Sequence, residues 1–352
     1  MSADFLFVVE VVINGLMTGI MYSLVALGFV LIFKASGIFN YAQGVMALFA
    51  AMTLVGLQQG QVPFAHLIKA VSGADVHHWG QPAVVIATLF TGGDVNAAAE
   101  FITNLIAILA TIGVMIGLAI IVERYILKHL VNQEPIILFM ATIGLAYFME
   151  GFGDLMWGAE IKTLDVGLPS GGSLAIENWS AGWASQEDGW YGLYIDQLDV
   201  AAALIAIILV ISLTIFSQYT RTGRALRAVA DDHQAALSVG ISLRSIWVIV
   251  WSIAGFIALV AGIMWGAKSG VQFSLSLIAL KALPVLMLGG FTSIPGAIVG
   301  GLIIGVGEKL FEFFIGPLVG GATENWFAYV LALLFLVFRP QGLFGEKIIE
   351  RV

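Results

Sequence analysis

The stretch FITNLIAILATIGVMIGLAIIV, residues 101–122, contains no charged side chain in 22 consecutive positions. A run of about 20 apolar residues is long enough to cross the hydrocarbon core of a bilayer as a helix. The rest of the chain has the same character, because 60% of its residues are hydrophobic and only 11% are charged. A soluble domain has about 25% charged residues, so the composition predicts a protein whose solvent is a membrane.

Apolar stretches of similar length recur along the whole chain. In lipid the backbone must satisfy its own hydrogen bonds, so we expect these stretches to be helices. The first is long enough to be tilted or broken, at Asn14-Gly15 or at Gly19, and the segment 83–91 is too short to span. We predict an all-α polytopic membrane protein, one transmembrane domain over residues 1–352, with about nine (eight to ten) transmembrane helices. The expected spans are 8–33, 38–57, 101–122, 136–157, 198–216, 245–267, 274–289, 295–316 and 325–338.

The distribution of Lys and Arg predicts the orientation of these helices. Basic residues collect in the loop 123–135, in the loop 217–244 and in the C-terminal tail, and the positive-inside rule assigns such segments to the cytoplasm. The N-terminus is then outside and the C-terminus inside. The segments 58–100 and 158–197 become periplasmic insertions, and the second carries six acidic residues against one lysine, Lys162.

The loop between two of the spans contains TRTGRALRAVADDHQAALSVGIS, residues 220–242. Its spacing predicts a short amphipathic helix that ends at Gly240. The expected apolar stripe is Leu226, Val229, Ala230, His233 and Leu237, and the polar stripe is Arg224, Arg227, Asp231 and Gln234. By itself this pattern fits an anchor on anionic lipid as well as a docking element for another protein.

A few polar side chains fall within or at the ends of the apolar spans. Asn40 and Gln43 share one helix face at the start of a span, where buried amides either cross-link helices or line a polar path. Lys281 lies mid-span, and we expect it to snorkel or to form an ion pair with a carboxylate on another helix. The candidate carboxylates are Glu150, Asp154, Glu308 and Glu312. The glycine pairs Gly296/Gly300 and Gly301/Gly305 predict close helix packing.

The residues that would support enzyme chemistry are missing from the sequence. The chain has no cysteine and no G-x-x-x-x-G-K-[ST] phosphate-binding loop, and no nucleophile or metal-ligand cluster accompanies its paired carboxylates. The histidines His66, His77 and His78 are expected to be solvated loop residues. We therefore predict no catalytic residue, no metal site and no enzyme activity in this chain, so any nucleotide hydrolysis must occur in a partner.

Three separated segments resemble the LivH-type permeases of branched-chain amino acid ABC importers. They are NGLMTGIMYSLVALGFVLIFKASGIFNYAQG (14–44), the 220–242 loop with its Q-A-A-L-S-V-G, and the closing LGGFTSIPGAIVGGLIIGVGE (288–308) with FRPQGLFG (338–345). Q-A-A-L-S-V-G is similar to the E-A-A-x-x-x-G of many ABC importer permeases, with Gln234 in place of Glu. The long outer segments 58–100 and 158–197 depart from the family pattern.

This resemblance implies a permease subunit that forms half of a translocation path for amino acids, branched-chain or hydrophobic. The implied partners are a second, LivM-like permease, two ATP-binding subunits and a periplasmic substrate-binding protein, all at a bacterial inner membrane and without nucleic acid. The chain itself would bind no cofactor, since ATP and Mg²⁺ belong to the ATPases. The implied ATPase-coupling residues are Arg221, Arg224, Arg227, Asp231, Gln234, Ala235, Ala236 and Gly240. The residues expected to line the path are Tyr22, Ser23, Asn40 and Gln43.

Two alternatives remain at the level of the sequence. The intramembrane carboxylates, Lys281 and the glycine-broken helices also fit an autonomous ion- or proton-coupled secondary transporter or channel. A third possibility is a structural membrane subunit without a transport path of its own.

Overall fold

The computed structural model describes residues 3–65, 68, 96–130, 133–169, 173–175, 194–231 and 233–345. These residues form helices joined by short connections, together with one two-stranded antiparallel sheet. The predicted all-α fold class is confirmed. The segment 83–91 and the histidines His66, His77 and His78 lie outside the described residues.

The helices follow the apolar stretches closely. In chain order they are α1 (Ala3–Ser36), α2 (Gln43–Gln58), α3 (Asn96–Val122), which continues as a π-helical turn (Glu123–Leu127), the short α4 (Lys128–Leu130), α5 (Pro135–Trp157), α6 (Gln197–Tyr219), α7 (Arg221–Asp231), α8 (His233–Ser238), α9 (Leu243–Ser269), a 3₁₀ helix (Phe273–Leu277), α10 (Ile278–Gly289), α11 (Ile294–Val319), a second 3₁₀ helix (Thr323–Asn325) and α12 (Phe327–Phe338). Strands β1 (Ser173–Ala175) and β2 (Tyr194–Asp196) pair antiparallel.

Each predicted span coincides with a helix, but not every helix is long enough to cross a bilayer by itself. Within the described residues five helices meet the length and hydropathy expected of a span, or six if Phe273–Gly289 and Ile294–Val319, which bend by 115° at their break, count as one. Gln43–Gln58 and Phe327–Phe338 are apolar but shorter. The chain is therefore a multi-pass membrane protein, and the number nine stays a prediction. The suggested break in the first span is wrong, since α1 is continuous over 34 residues.

The chain divides into two compact units. Unit 1 comprises Met1–Val30, Leu168–Tyr219 and Leu280–Val352, and unit 2 comprises Leu31–Gly167 and Thr220–Ala279. The prediction of a single transmembrane domain with two periplasmic insertions stays a prediction.

Unit 2 is built around α2, which is buried along almost its whole length. A helix that is hydrophobic all round belongs in a protein interior, and α2 is packed by α3, α5, α9 and the first 3₁₀ helix. Small residues allow these close approaches. A side chain at Gly262 of α9 would collide with the backbone of Ala47, and one at Gly44 would collide with the Ser276 carbonyl. The outward faces of α3 and α5 carry exposed apolar side chains such as Leu109 and Phe148.

Unit 1 places α11 against α1 and α10. The glycine pairs of α11 lie at these contacts: Gly301 meets the Gly19 carbonyl on α1, and Gly296 meets Gly289 of α10. The helix-packing prediction for the glycine-rich stretch is confirmed, and Gly19 of α1 is one of the residues it contacts. The FRPQGLFG segment closes this unit, because the amides of Leu343 and Phe344 donate to the carbonyls of Leu288 and Gly289 at the end of α10.

Candidate functional site

The polar loop between α6 and α9 folds into helices, as its spacing predicts. Thr220 caps α7, since its hydroxyl accepts from the Gly223 amide at 2.9 Å, and helix α8 follows. At Gly240 the backbone turns with φ of +84°, a conformation that suits glycine. The predicted helix and its stop are confirmed, although the segment contains two helices, α7 and α8, instead of one.

The buried stripe of this loop matches the prediction in α7 and departs from it in α8. Leu226 and Val229 are fully buried, whereas Leu237 is 53% exposed and Ala236 takes the buried place. The predicted position of Leu237 is wrong because α8 begins as a new helix, so the angular phase of α7 does not carry through. Both helices pack on α9 within unit 2.

Most of the predicted coupling residues lie on the accessible side of the loop. Arg221, Arg224, Gln234, Ala235 and Gly240 are exposed and Arg227 is half-buried, while Ala236 faces the interior. Asp231 is the last residue of α7. The loop thus exposes basic and small residues, and whether an ATPase binds there stays a prediction.

An ion pair joins the first turn of α9, directly after this loop, to the helical segment that follows α3. The Arg244 Nε lies 3.1 Å from Glu123 Oε2, and Glu123 is only 2% exposed although it opens the π-helical turn after α3. π-Turns interrupt regular helices and recur at functional positions. Sequence reasoning counted Arg244 only as part of a basic loop and did not single out Glu123. The available signal was its place as the first charge after the 101–122 run.

Asn40 and Gln43 are buried in unit 2, where their side chains bind one another and α9. The Asn40 amide donates to Gln43 Oε1 at 3.3 Å, and the Gln43 amide donates to the Ala254 carbonyl at 3.2 Å. The Ala42 amide donates to Asn40 Oδ1. Of the two readings left open by the sequence, helix cross-linking has direct contacts in its support. Their place beside a solute path stays a prediction.

Tyr22 and Ser23 are buried in unit 1 and bind α11. The Ser23 hydroxyl lies 2.8 Å from the Gly19 carbonyl and 3.2 Å from the Ile298 carbonyl. The Tyr22 hydroxyl donates to Glu308 Oε1 at 3.4 Å. Their role in lining a path likewise stays a prediction.

Lys281, the one lysine of α10, forms an ion pair with a carboxylate of α11. Lys281 Nζ lies 2.6 Å from Glu308 Oε1 and 5.8 Å from the centroid of the Tyr22 ring. Glu308 is 1% exposed, and its second oxygen has no hydrogen-bond partner among the described residues. The predicted ion pair between Lys281 and one of the span carboxylates is confirmed.

Glu312, the second carboxylate of α11, binds backbone amides instead of a lysine. It accepts from the backbone amides of Ala322, Thr323 and Glu324, and from the Thr323 hydroxyl. Ala322 has φ of +59°, so the carboxylate holds a tight turn between α11 and α12. Among the described residues there is no group of three or more His, Cys, Asp or Glu side chains arranged to hold a metal ion.

Comparison with known proteins agrees with this architecture. The family profile described as branched-chain amino acid transport system / permease component matches residues 11–339. The high-affinity branched-chain amino acid transport system permease protein LivH of Escherichia coli K12 is 26% identical, with all of both chains covered. BraD of Pseudomonas aeruginosa, of the same description, is 26% identical over 97% of this chain and 96% of its own. LivM of Escherichia coli K12 is 28% identical over 56% of this chain and 50% of its own.

Proposed function

Because this chain belongs to the branched-chain amino acid transport permease family, we propose that it forms half of the translocation path of an ABC importer for hydrophobic amino acids. A periplasmic binding protein delivers the solute, and two partner ATPases supply the energy. The family match over residues 11–339 carries this proposal. The family is one of transport permeases, and in this proposal the chain binds no cofactor of its own, since ATP and Mg²⁺ bind to the ATPases.

The loop formed by α7 and α8 is the proposed contact with the ATPase. Its buried residues Leu226 and Val229 pack it within unit 2, and Arg221 and Arg224 lie on its exposed surface. The Arg244–Glu123 pair ties the first turn of α9 to the π-turn after α3. A displacement of the loop by an ATPase would therefore reach α3 as well as α9, which follows the loop directly.

The second half of the path is proposed to come from another permease of the same family. LivM of Escherichia coli, a relative of this chain by sequence, is the kind of subunit that would pair with it. We place the chain in the bacterial inner membrane with its C-terminus and the 217–244 loop in the cytoplasm, since these segments carry most of the basic residues. The N-terminus and the segments 58–100 and 158–197 are periplasmic in this arrangement.

The contacts of the intramembrane charges weaken the support for the secondary-transporter alternative. Its main argument was a set of isolated intramembrane charges, which mark ion pathways by default. Lys281 and Glu308 neutralise one another, and Glu312 caps a turn. An ion pair such as Lys281–Glu308 is equally expected where charged residues only stabilise the fold.

Reconstitution into liposomes tests the proposal. The complex with both ATPases should take up leucine only when ATP and the binding protein are supplied, and the permeases alone should not accumulate leucine in a proton gradient. Proton-driven uptake by this chain alone would overturn the proposal.

Charge reversal in the loop tests the coupling role separately. Arg224→Glu with Arg227→Glu should abolish ATP-driven uptake while the complex still inserts in the membrane. The matched control is Lys128→Glu with Arg339→Glu, which reverses two exposed charges on the same predicted side but outside the loop. Equal uptake by the two double variants would contradict the docking role.

A further inference from the structure

Unit 2 contains a cavity of about 230 Å³ beside the end of α2 and the end of α5. Its described lining consists of Gln61, Val62, Ala65, Met156, Trp157, Gly158, Ala159, Glu160 and Lys162. The charge distribution assigns this end of both helices to the outer side of the membrane. The cavity is smaller than the roughly 300–1,000 Å³ of pockets for drug-sized ligands, so it suits only a small solute.

Lys162 is the unusual residue of this cavity. It is only 8% exposed, and buried lysines are rare unless they are paired. Its ammonium donates to Gln61 Oε1 at 2.7 Å and to the Trp157 carbonyl at 2.6 Å. Both acceptors are uncharged, and a lysine ammonium has three donors. Lys162 thus lines the cavity with a side chain whose positive charge neither of these two acceptors neutralises.

The backbone around Lys162 is held by tertiary hydrogen bonds. The Lys162 amide donates to the Val271 carbonyl at 3.1 Å, and the Val271 amide returns a bond at 2.8 Å. Met156, another lining residue, is also held, because its carbonyl accepts from the Phe64 amide at 2.8 Å. A site fixed in this way before a ligand arrives loses less conformational freedom on binding.

The lining combines three chemistries in one small volume. Lys162 supplies a buried cation, Glu160 supplies an exposed carboxylate, and Val62, Ala65 and Met156 supply apolar surface. Burial lowers the pKa of Lys162, and the negative charge of Glu160 opposes this lowering. A bound carboxylate would raise that pKa again, because an opposite charge favours the protonated amine.

We propose that this cavity binds a small zwitterion with an apolar side chain, whose carboxylate meets Lys162 and whose ammonium faces Glu160. The apolar side chain lies against Met156. The assignment of this solute to the transport route rests on the proposed function, whereas the binding itself rests on the cavity. The site would hold an amino acid at the outer end of unit 2 before it crosses the membrane.

Ligand-detected NMR on the full chain in lipid nanodiscs tests the binding directly. The probes are leucine, 4-methylpentanoate, which lacks the ammonium, and 3-methylbutylamine, which lacks the carboxylate. We expect saturation transfer to leucine and about tenfold weaker binding of each analogue, because each loses one charged contact. No transfer to leucine beyond that seen with empty nanodiscs would overturn the proposal.

Two variants locate the site within the chain. Ala159→Phe fills the rim of the cavity from an exposed position, and it should weaken leucine binding at least about tenfold without affecting the fold. Lys162→Gln should abolish the preference for leucine over 3-methylbutylamine. The control Lys309→Gln removes a lysine that pairs with Glu324 outside the cavity, and it should leave leucine binding unchanged. Unchanged leucine binding by Ala159→Phe, or weakening by Lys309→Gln to the same degree, would refute the assignment.

The binding test and the transport test fail in different ways. A complex that imports leucine although the chain binds none would refute the cavity and leave the proposed function intact. A chain that binds leucine at the cavity but imports nothing with its ATPases would refute the proposed function alone.

Discussion

The buried pair of Lys281 and Glu308 allows a quantitative test of whether the charges inside unit 1 hold the fold or serve transport. At 2.6 Å two unit charges attract by about 6 kcal/mol at an effective dielectric constant of about 20. Removing both ions from water costs several kcal/mol each and offsets most of that attraction. The pair as a whole is therefore close to neutral for stability, while either partner alone is costly.

The two single substitutions should differ in size. Lys281→Met leaves a carboxylate that is 1% exposed and has the Tyr22 hydroxyl as its one remaining donor within the described part of the chain, so we expect a loss of about 5 kcal/mol in the free energy of unfolding. Glu308→Leu leaves a lysine that still donates to the Glu324 carbonyl at 3.4 Å, so a smaller loss of about 3 kcal/mol is expected. The double variant should lie within about 1 kcal/mol of the original chain, since no ion is left unpaired.

The assay is a double-mutant cycle of unfolding in mixed micelles titrated with sodium dodecyl sulfate, followed by circular dichroism. Additive losses, with the double variant at about 8 kcal/mol, would refute the pairing argument. Uptake by the reconstituted complex supplies the functional half of the test. A double variant that is stable but does not transport would show that the charges themselves are needed, as the secondary-transporter alternative requires.

Three further predictions use other contacts. Arg244→Ala should lower the free energy of unfolding by about 1–3 kcal/mol, because it leaves the Glu123 carboxylate buried without its partner; a loss below about 0.5 kcal/mol in the same micelle titration would contradict this. Gly301→Leu should lower the free energy of unfolding by about 3 kcal/mol or more, because its side chain would meet the backbone of α1. The control Gly113→Leu faces open space and should leave the monodisperse fraction in size-exclusion chromatography unchanged. The lowered pKa of Lys162 means that the unfolded chain holds this proton more tightly than the folded chain, so stability should rise with pH up to the ordinary lysine value of 10.5. Melting curves between about pH 8 and pH 10 should show this rise, and Lys162→Gln should flatten it.

The helices could be predicted from the sequence because an apolar run in lipid has few alternatives to a helix. The same rule does not say which helices touch. The spacing of Asn40 and Gln43 placed them on one face, but their acceptor on α9, Ala254, lies 211 residues after Gln43. In the polar loop the period of 3.6 residues predicted Leu226 and Val229 correctly, and it failed at Leu237 because a new helix had begun.

For the charged residues too, the sequence indicates local features but not which residues meet in the tertiary structure. A lysine in mid-span predicts that a carboxylate is near, and Glu308 meets that need. The burial of Lys162 had no such signal, since it stands in a loop rich in acidic residues and its acceptors are an amide oxygen and a carbonyl. Glu123 likewise looks like an ordinary helix-end residue until the fold brings Arg244 to it.

The enclosure of α2 along almost its whole length has a consequence for how unit 2 tolerates sequence change. At 16 residues this helix is about 24 Å long, and from Gln43 to Gly56 every residue is buried. Fluid hydrocarbon chains can rearrange around an altered side chain, but the fixed walls that surround α2 cannot. In a saturation mutagenesis library, side-chain volume should therefore be strictly limited at the positions of α2, as in the interior of a water-soluble enzyme. The outward faces of α3 and α5 should accept almost any apolar residue.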